Sequence, residues 1–173
     1  MVDKRRTGRL DAIEAYLRKA VQAPGDLYIG VHADDSARVP QALAGDATVT
    51  QAPNNAYIAA ANEFGIGVTE RPFLRPTIGD NLDGYKELLA TELRKNLRSD
   101  RSDPKRPYHV VGVVAVGDVQ ATLDRGVQPP PTEATLAWRE HHGHAGQKSL
   151  IVTGQLKSSI SYSVGDPDAE DDS

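Results

Sequence analysis

The chain of 173 residues contains no cysteine, one methionine, one tryptophan and two phenylalanines. Without cysteine, neither a disulfide framework nor a thiolate metal site can form. No apolar run approaches the roughly 20 residues that a membrane-spanning helix needs. The basic start, Lys4-Arg5-Arg6, is followed by acids at Asp11 and Glu14, where a signal peptide needs an apolar run. We therefore expect a soluble protein that needs no oxidising compartment and does not enter a membrane.

The charge of the chain is unevenly distributed. The net charge is −4, yet five of the 24 acidic residues lie in the last eight positions. Without them, 20 basic residues face 19 acidic ones, so the body is near neutral. We predict a single domain over residues 1–165 and a disordered acidic tail over 166–173. The low aromatic content, 5%, also favours a core that neighbouring subunits complete.

The hydrophobic periodicity predicts an α+β fold, in which three to four helices flank a small mixed or antiparallel sheet. The helical segments are 10–22, 55–64, 76 to about 97, 110–125 and 133–139, with one further turn over 155–157. The strands are 27–31 and 160–164, with a weak third over 47–51 inside the loop 34–53. Gly65-Ile66-Gly67 is expected to end the second helix, Thr132 to cap the fifth, and Thr153 to cap the turn.

Residues 110–116, with the sequence VVGVVAV, present a conflict. Their β-branched side chains favour a strand. However, the run continues without a turn signal into residues 118–125, and Val116, Val119 and Leu123 share a helical face. The pattern therefore predicts one helix from Val110 to Arg125.

Histidines at positions 141, 142 and 144 are the only candidates for a metal site in the sequence. Imidazole is a common zinc ligand, so a small metal-dependent hydrolase using His141, His142 and His144 is an alternative function. Adjacent histidines rarely bind one ion, and no second ligand pair at helical spacing is present, so a polar surface loop is the favoured interpretation.

No pattern in the sequence carries a reaction. No serine lies in a Gly-x-Ser-x-Gly turn, and Gly65-Ile66-Gly67 lacks the third glycine and the lysine of a phosphate loop. The basic clusters 4–9 and 94–106 contain no interleaved aromatic residues, which disfavours binding of single-stranded nucleic acid by stacking. We expect a protein that is not an enzyme and has no cofactor and no bound metal.

Four segments, in order, resemble the tail-completion (neck, or minor tail) proteins of long-tailed bacteriophages, and together they cover roughly residues 55–164. The first is 59–65 (AAANEFG), and the second is 71–76 (RPFLRP) entering a long helix. The third runs from Asp118-Val119-Gln120 to Gly126 and continues through Pro130-Pro131, Thr135-Leu136-Ala137 and Arg139. The fourth is 150–156 (LIVTGQL), followed by Ser158 or Ser159 and by Ile160, Tyr162 and Val164. Two features depart from the family pattern: Val152 replaces an acid, and histidines replace a short lysine-rich loop.

This resemblance implies a structural protein of the virion, made in the host cytoplasm and located where the tail joins the head. Such proteins form homo-oligomeric rings of six or twelve copies. Their partners are the tail terminator, the tail tube and the head connector or adaptor, and DNA passes through the channel without sequence-specific binding. A tail terminator or a stopper ring of the same region is the nearest alternative.

The segment 71–76 contains the candidates for a partner interface: Arg71, Phe73, Leu74 and Arg75. Two prolines stiffen the segment, so it could present Phe73 and Leu74 to a partner, with the arginines placed for acidic groups. In the alternative, Phe73 and Leu74 staple the start of the following helix into the core of the chain itself.

Overall fold

The computed structural model describes residues 14–15, 18, 26–32, 54–99, 103–141, 150 and 154–165, and over these ranges it confirms the α+β class. The strands β1 (Leu27–Gly30) and β2 (Ser161–Val164) form a two-stranded antiparallel sheet. The helices are α1 (Asn55–Phe64), α2 (Leu74–Leu97), α3 (Arg106–Arg125), α4 (Glu133–His141) and α5 (Gln155–Ser158).

Several predicted segments lie outside the described residues. These are the whole of the loop 34–53 with its weak strand 47–51, the loop 142–148 and the acidic tail 166–173. Of the predicted helix 10–22, only Glu14, Ala15 and Arg18 are described, and all three are helical. Arg18 donates a hydrogen bond of 2.7 Å to the Glu14 carboxylate, which is the i, i+4 pairing of a helix.

The described residues group into two compact units. The first holds the described parts of Met1–Ile29, Asn81–Ala115 and Tyr162–Ser173, and the second those of Gly30–Asp80 and Val116–Ser161. The core of the first unit contains Tyr85, Pro107, Val111 and Ala115. The core of the second contains Ala61, Phe73, Val119, Leu123, Val127, Leu156 and Ile160. The prediction of one domain over 1–165 stays a prediction.

Helix α1 begins and ends as its sequence predicts. The side chain of Asn54 accepts a hydrogen bond from the N–H of Tyr57 at 2.8 Å, which caps the first turn. Gly65 ends the helix in a left-handed conformation (φ 68°), and its N–H donates to the carbonyl of Ala61. A side chain at position 65 would also crowd the Cβ of Glu70, at 3.1 Å, so the turn needs glycine for two reasons.

Helix α2 begins at Leu74, two residues before the predicted start at Pro76. The prediction assumed that the residue before a proline avoids helical conformation. Proline is nevertheless tolerated in a first turn, because the N–H groups there have no partner within the helix. The N–H groups of Leu74 and Arg75 bond instead to the carboxylate of Glu63, and this contact extends the helix backwards.

Helix α3 resolves the conflict over residues 110–116 in favour of a helix, and it begins four residues before the predicted start at Val110. Pro107 lies in its first turn and is fully buried. The buried side chains recur every fourth residue, at Val111, Ala115, Val119 and Leu123. Burial of this stripe outweighs the strand preference of the valines, because β propensity is weak compared with packing.

Helix α4 has the cap that the sequence predicts, and this cap can be tested. The Thr132 hydroxyl accepts a hydrogen bond from the N–H of Thr135 at 3.2 Å. We expect Thr132→Ala to lower the free energy of unfolding by about 1 kcal/mol, because one N–H of the first turn loses its acceptor. Thr132→Ser keeps the hydroxyl and should stay close to the parent in urea denaturation. Equal losses in both variants would contradict the capping role.

The residue that precedes α5 is Gly154, with φ 76°. Glycine accepts this left-handed conformation without strain. Thr153, the predicted cap of this turn, lies outside the described residues. Within the second unit, α5 packs against α1.

Candidate functional site

The buried carboxylate of Glu63 organises the region that carries the first two resemblance segments. Glu63 lies near the end of α1 and is only 4% exposed. Its Oε2 accepts hydrogen bonds from the N–H groups of Phe73 (2.8 Å) and Leu74 (3.0 Å), and its Oε1 accepts one from the N–H of Arg75 (2.9 Å). These donors at the start of α2 have no partner within the helix, and a negative charge is favourable at this end.

The Arg75 side chain completes this cluster, which we call the Glu63 clamp: Glu63, the N–H groups of residues 73–75, and the Arg75 guanidinium. Arg75 Nε donates to Glu63 Oε1 at 3.0 Å, and Nη2 donates to Glu70 Oε1 at 3.0 Å. The hydrogen bond to Glu63 is the main cause that raises the pKa of Arg75. The guanidinium also lies 4.7 Å from the centre of the Phe64 ring. The buried negative charge is thus compensated by hydrogen bonds and by a cation.

Arg71 joins the second resemblance segment to the third. Its Nε donates a hydrogen bond of 2.8 Å to the carbonyl of Pro129, and Nη2 lies 3.5 Å from the carbonyl of Pro130. Its own N–H donates to the carbonyl of Asn62 at 2.7 Å, so the residue is also tied to α1. Residues 129–131 are three consecutive prolines, which we call the proline corner. Their backbone offers carbonyl acceptors but no N–H donors, so a guanidinium with several N–H donors suits it.

Arg139 of α4, also part of the third segment, is buried. Burial is the main cause that lowers its pKa, and repulsion from the nearby charge of Arg71 lowers it further. Arginine stays protonated at neutral pH even so. Two positive charges therefore lie near one another in the second unit, at the proline corner and on α4.

The predicted interface candidates differ in what they expose. Phe73 is 2% exposed and lies in the core, as the stapling alternative expected. Leu74 and Arg71 are partly buried, and the Arg75 side chain is about half exposed although it belongs to the Glu63 clamp. A role of these residues in partner binding stays a prediction, and for Phe73 it would require the core to open.

The bonds from Arg71 lead to a prediction about stability. We expect Arg71→Lys to lower the free energy of unfolding by about 1–2 kcal/mol, because an ammonium cannot reproduce the forked geometry at two carbonyls. The matched control is Arg94→Lys at an exposed position of α2, which should change little. Chemical denaturation of the three proteins measures the difference, and an unchanged Arg71→Lys would show that the bonds to the proline corner are dispensable.

The fourth resemblance segment is bonded to the third through α3. Gln120 Nε2 donates to the carbonyl of Lys157 at 3.3 Å, and Lys157 Nζ forms an ion pair of 2.6 Å with Asp124 Oδ2. Leu156 and Ile160, which precede and follow Lys157 in the sequence, are both buried. The C-terminal segment is therefore held by both polar and apolar contacts.

No metal site or membrane span emerges from the described parts of the chain. His141 lies exposed at the end of α4, while His142 and His144 lie outside the described residues. Among the residues described, no group of three or more His, Asp or Glu side chains could hold a metal ion. Within the same ranges, no helix is long and apolar enough to cross a membrane.

Comparison with known proteins gave no match to a family model, a curated protein or a solved structure. The function is therefore inferred from the contacts of this chain and from the resemblance in its sequence. The most important residue that the sequence-based predictions did not single out is Glu63. Its signal was a single acid in an otherwise uncharged and alanine-rich helix, NAYIAAANEF, at a position that proves to be buried.

Proposed function

We propose that this protein is a structural subunit of the neck of a long-tailed bacteriophage, where it forms a ring that joins the tail to the head. The observation that best supports this is that the four segments of the resemblance are bonded to one another. Glu63 of the first bonds to residues 73–75 of the second. Arg71 of the second bonds to the proline corner of the third, and Gln120 of the third bonds to Lys157 of the fourth.

These bonds join positions that are far apart in sequence. Arg71 and Pro129 are separated by 58 residues, and Gln120 and Lys157 by 37. The residues that form these bonds all lie in the second unit, and we interpret the segments that contain them as one structural module.

The chemistry of the described residues favours a structural role. Glu63 is the one acid among them that is buried, and a buried carboxylate is the usual candidate for a general base. Its two oxygens already accept hydrogen bonds from three backbone N–H groups and from Arg75. A carboxylate held in this way stabilises a helix start and is poorly placed to accept a proton from a substrate.

The ring, its neighbours in the neck and the DNA in its channel are the partners that the proposal implies.

Particle composition is the test of this proposal. Mass spectrometry of purified tailed virions is expected to find this chain in a copy number that fits one ring. Absence of the chain from these virions would contradict the proposal. A phage lacking the chain should make complete heads and tails that fail to join. Tails of abnormal length in that mutant would instead indicate a tail terminator.

A further inference from the structure

An exposed apolar loop follows α1 in the second unit. It consists of residues 64–68, and its apolar side chains, those of Phe64, Ile66 and Val68, are between 47% and 59% exposed. Local bonds hold the loop in shape: the N–H of Ile66 donates to the carbonyl of Ala61 at 2.8 Å, after the left-handed turn at Gly65. These three apolar side chains, at every second position, form an exposed apolar surface on a loop whose turn is held by hydrogen bonds. We call it the apolar loop.

A concave apolar surface lies in the first unit, along the start of α3. Val110, Val113 and Val114 line an open cavity of about 420 Å³, together with Asp103, Arg106 and His109. The spacing i, i+3 and i+4 puts the valines on one helix face. The described residues leave much of that face exposed, since Val113 is 61% exposed. We call this cavity the valine groove.

Exposed apolar side chains occur singly on most proteins, but clusters of them mark contact surfaces. Here both clusters are accompanied by a pair of opposite charges. Glu70 and Arg75 lie beside the apolar loop, and Asp103 and Arg106 line the valine groove. The two surfaces can therefore match in hydrophobicity and in charge.

We propose that the apolar loop of one copy of this chain inserts into the valine groove of a second copy, with Glu70 facing Arg106 and Arg75 facing Asp103. The two surfaces are different, so the contact is head-to-tail and each copy can bind one neighbour on each side. This inference deepens the proposed function. It rests on that function because a ring brings copies of the chain into contact.

The lack of cysteine allows a direct test by crosslinking in the full-length chain. One variant carries Ile66→Cys, a second carries Val113→Cys, and each is purified in reduced form. A disulfide needs the two Cβ atoms to approach within about 4.5 Å. On mild oxidation, the mixture of the two variants should give a covalent dimer at a level several-fold above that of either variant alone. The double variant should give a ladder of dimers, trimers and larger species.

The matched control is Leu82→Cys, which replaces another exposed apolar residue, on α2. Mixed with Ile66→Cys, it should give only the background level of dimer. A dimer as abundant in this control as in the test mixture would overturn the proposal, and so would strong crosslinking of Val113→Cys to itself, which would indicate a symmetric contact. No crosslink in any mixture would also overturn it. Circular dichroism and thermal unfolding of the reduced variants check that each is folded.

Charge reversal provides a second test, which stays informative even if a variant is slightly less stable than the parent. Added to the cysteine variants, Glu70→Arg and Arg106→Glu should each reduce the crosslinked fraction several-fold. Combining Glu70→Arg in the Ile66→Cys chain with Arg106→Glu in the Val113→Cys chain should restore it. If the combined charge reversals gave as small a crosslinked fraction as either reversal alone, the charge pairing would be contradicted.

The outcomes for the two proposals are separate. A chain that is present in virions but never crosslinks from loop to groove, in solution or in particles, would remove only the contact proposed here. A chain that crosslinks as expected but is absent from virions would remove the neck function and leave a self-associating protein.

Discussion

Replacing Glu63 with glutamine is expected to lower the free energy of unfolding by about 3 kcal/mol. One oxygen accepts from the N–H groups of Phe73 and Leu74, and the other from the N–H and Nε of Arg75. Whichever oxygen becomes an NH₂ group, two donors lose their acceptor and face another donor. Breaking charged hydrogen bonds at a buried site typically costs about 2–5 kcal/mol. Urea or guanidinium denaturation measures the change.

Glu70→Gln is the matched control for this variant. Glu70 also forms an ion pair with Arg75 at 3.0 Å, but both side chains are about half exposed, and no backbone N–H of the described residues donates to Glu70. An exposed ion pair contributes about 0–1 kcal/mol, so Glu70→Gln should be close to neutral. If the two variants lost the same stability, the strength of the Glu63 clamp would have to come from the ion pairs of Arg75 rather than from the helix start.

Replacing Gly112 with alanine is expected to be the second most damaging single change. A Cβ at position 112 would lie 2.4 Å from a ring carbon of Tyr162, and two further ring atoms would be within 2.8 Å. The ring is also in edge contact with His109, at a centroid distance of 5.8 Å, so it cannot move without losing that contact. Forcing a methyl group into such a site typically costs about 1–3 kcal/mol.

Gly117→Ala is the control on the same helix. Among the described residues, no neighbouring atom would lie within 4 Å of a Cβ at position 117, so the substitution should raise stability by roughly 0.5–1 kcal/mol through helix propensity alone. In a chain that already carries Tyr162→Ala, Gly112→Ala should lose its damaging effect. A coupling energy near zero in this double-mutant cycle would rule out the ring as the cause.

Local sequence rules predicted the helix ends well where the signals lie within the element. Gly65 and Thr132 act at the boundaries that were predicted for them, and Asn54 is a cap that the predictions did not name. The start of α2 was misplaced by two residues because its acceptor is not local. The first turn of α2 contains no acid, and the carboxylate that serves it comes from position 63 in α1.

The candidate site shows the same division. The segment 71–76 stood out because of its two prolines and two arginines, and the resemblance depends on it. The sequence left two possibilities for Phe73, a partner surface or the core of the chain itself. Its burial in the second unit supports the core, whereas the Arg71 and Arg75 side chains bond to carbonyls and carboxylates contributed by other segments. The hydrophobic periodicity of the sequence does not indicate such partners, because the tertiary fold brings them together.

The sequence by itself determined the class of elements, the glycine and cap positions that bound them, and the absence of disulfides. These depend on backbone conformation and on hydrogen bonds between residues a few positions apart, which neighbouring side chains control. Only the tertiary structure decided that α3 extends back to Arg106, that Glu63 caps α2, and that Arg71 bonds to the proline corner. Each of these depends on burial or on a hydrogen bond between distant residues, and its free energy appears only when the segments meet.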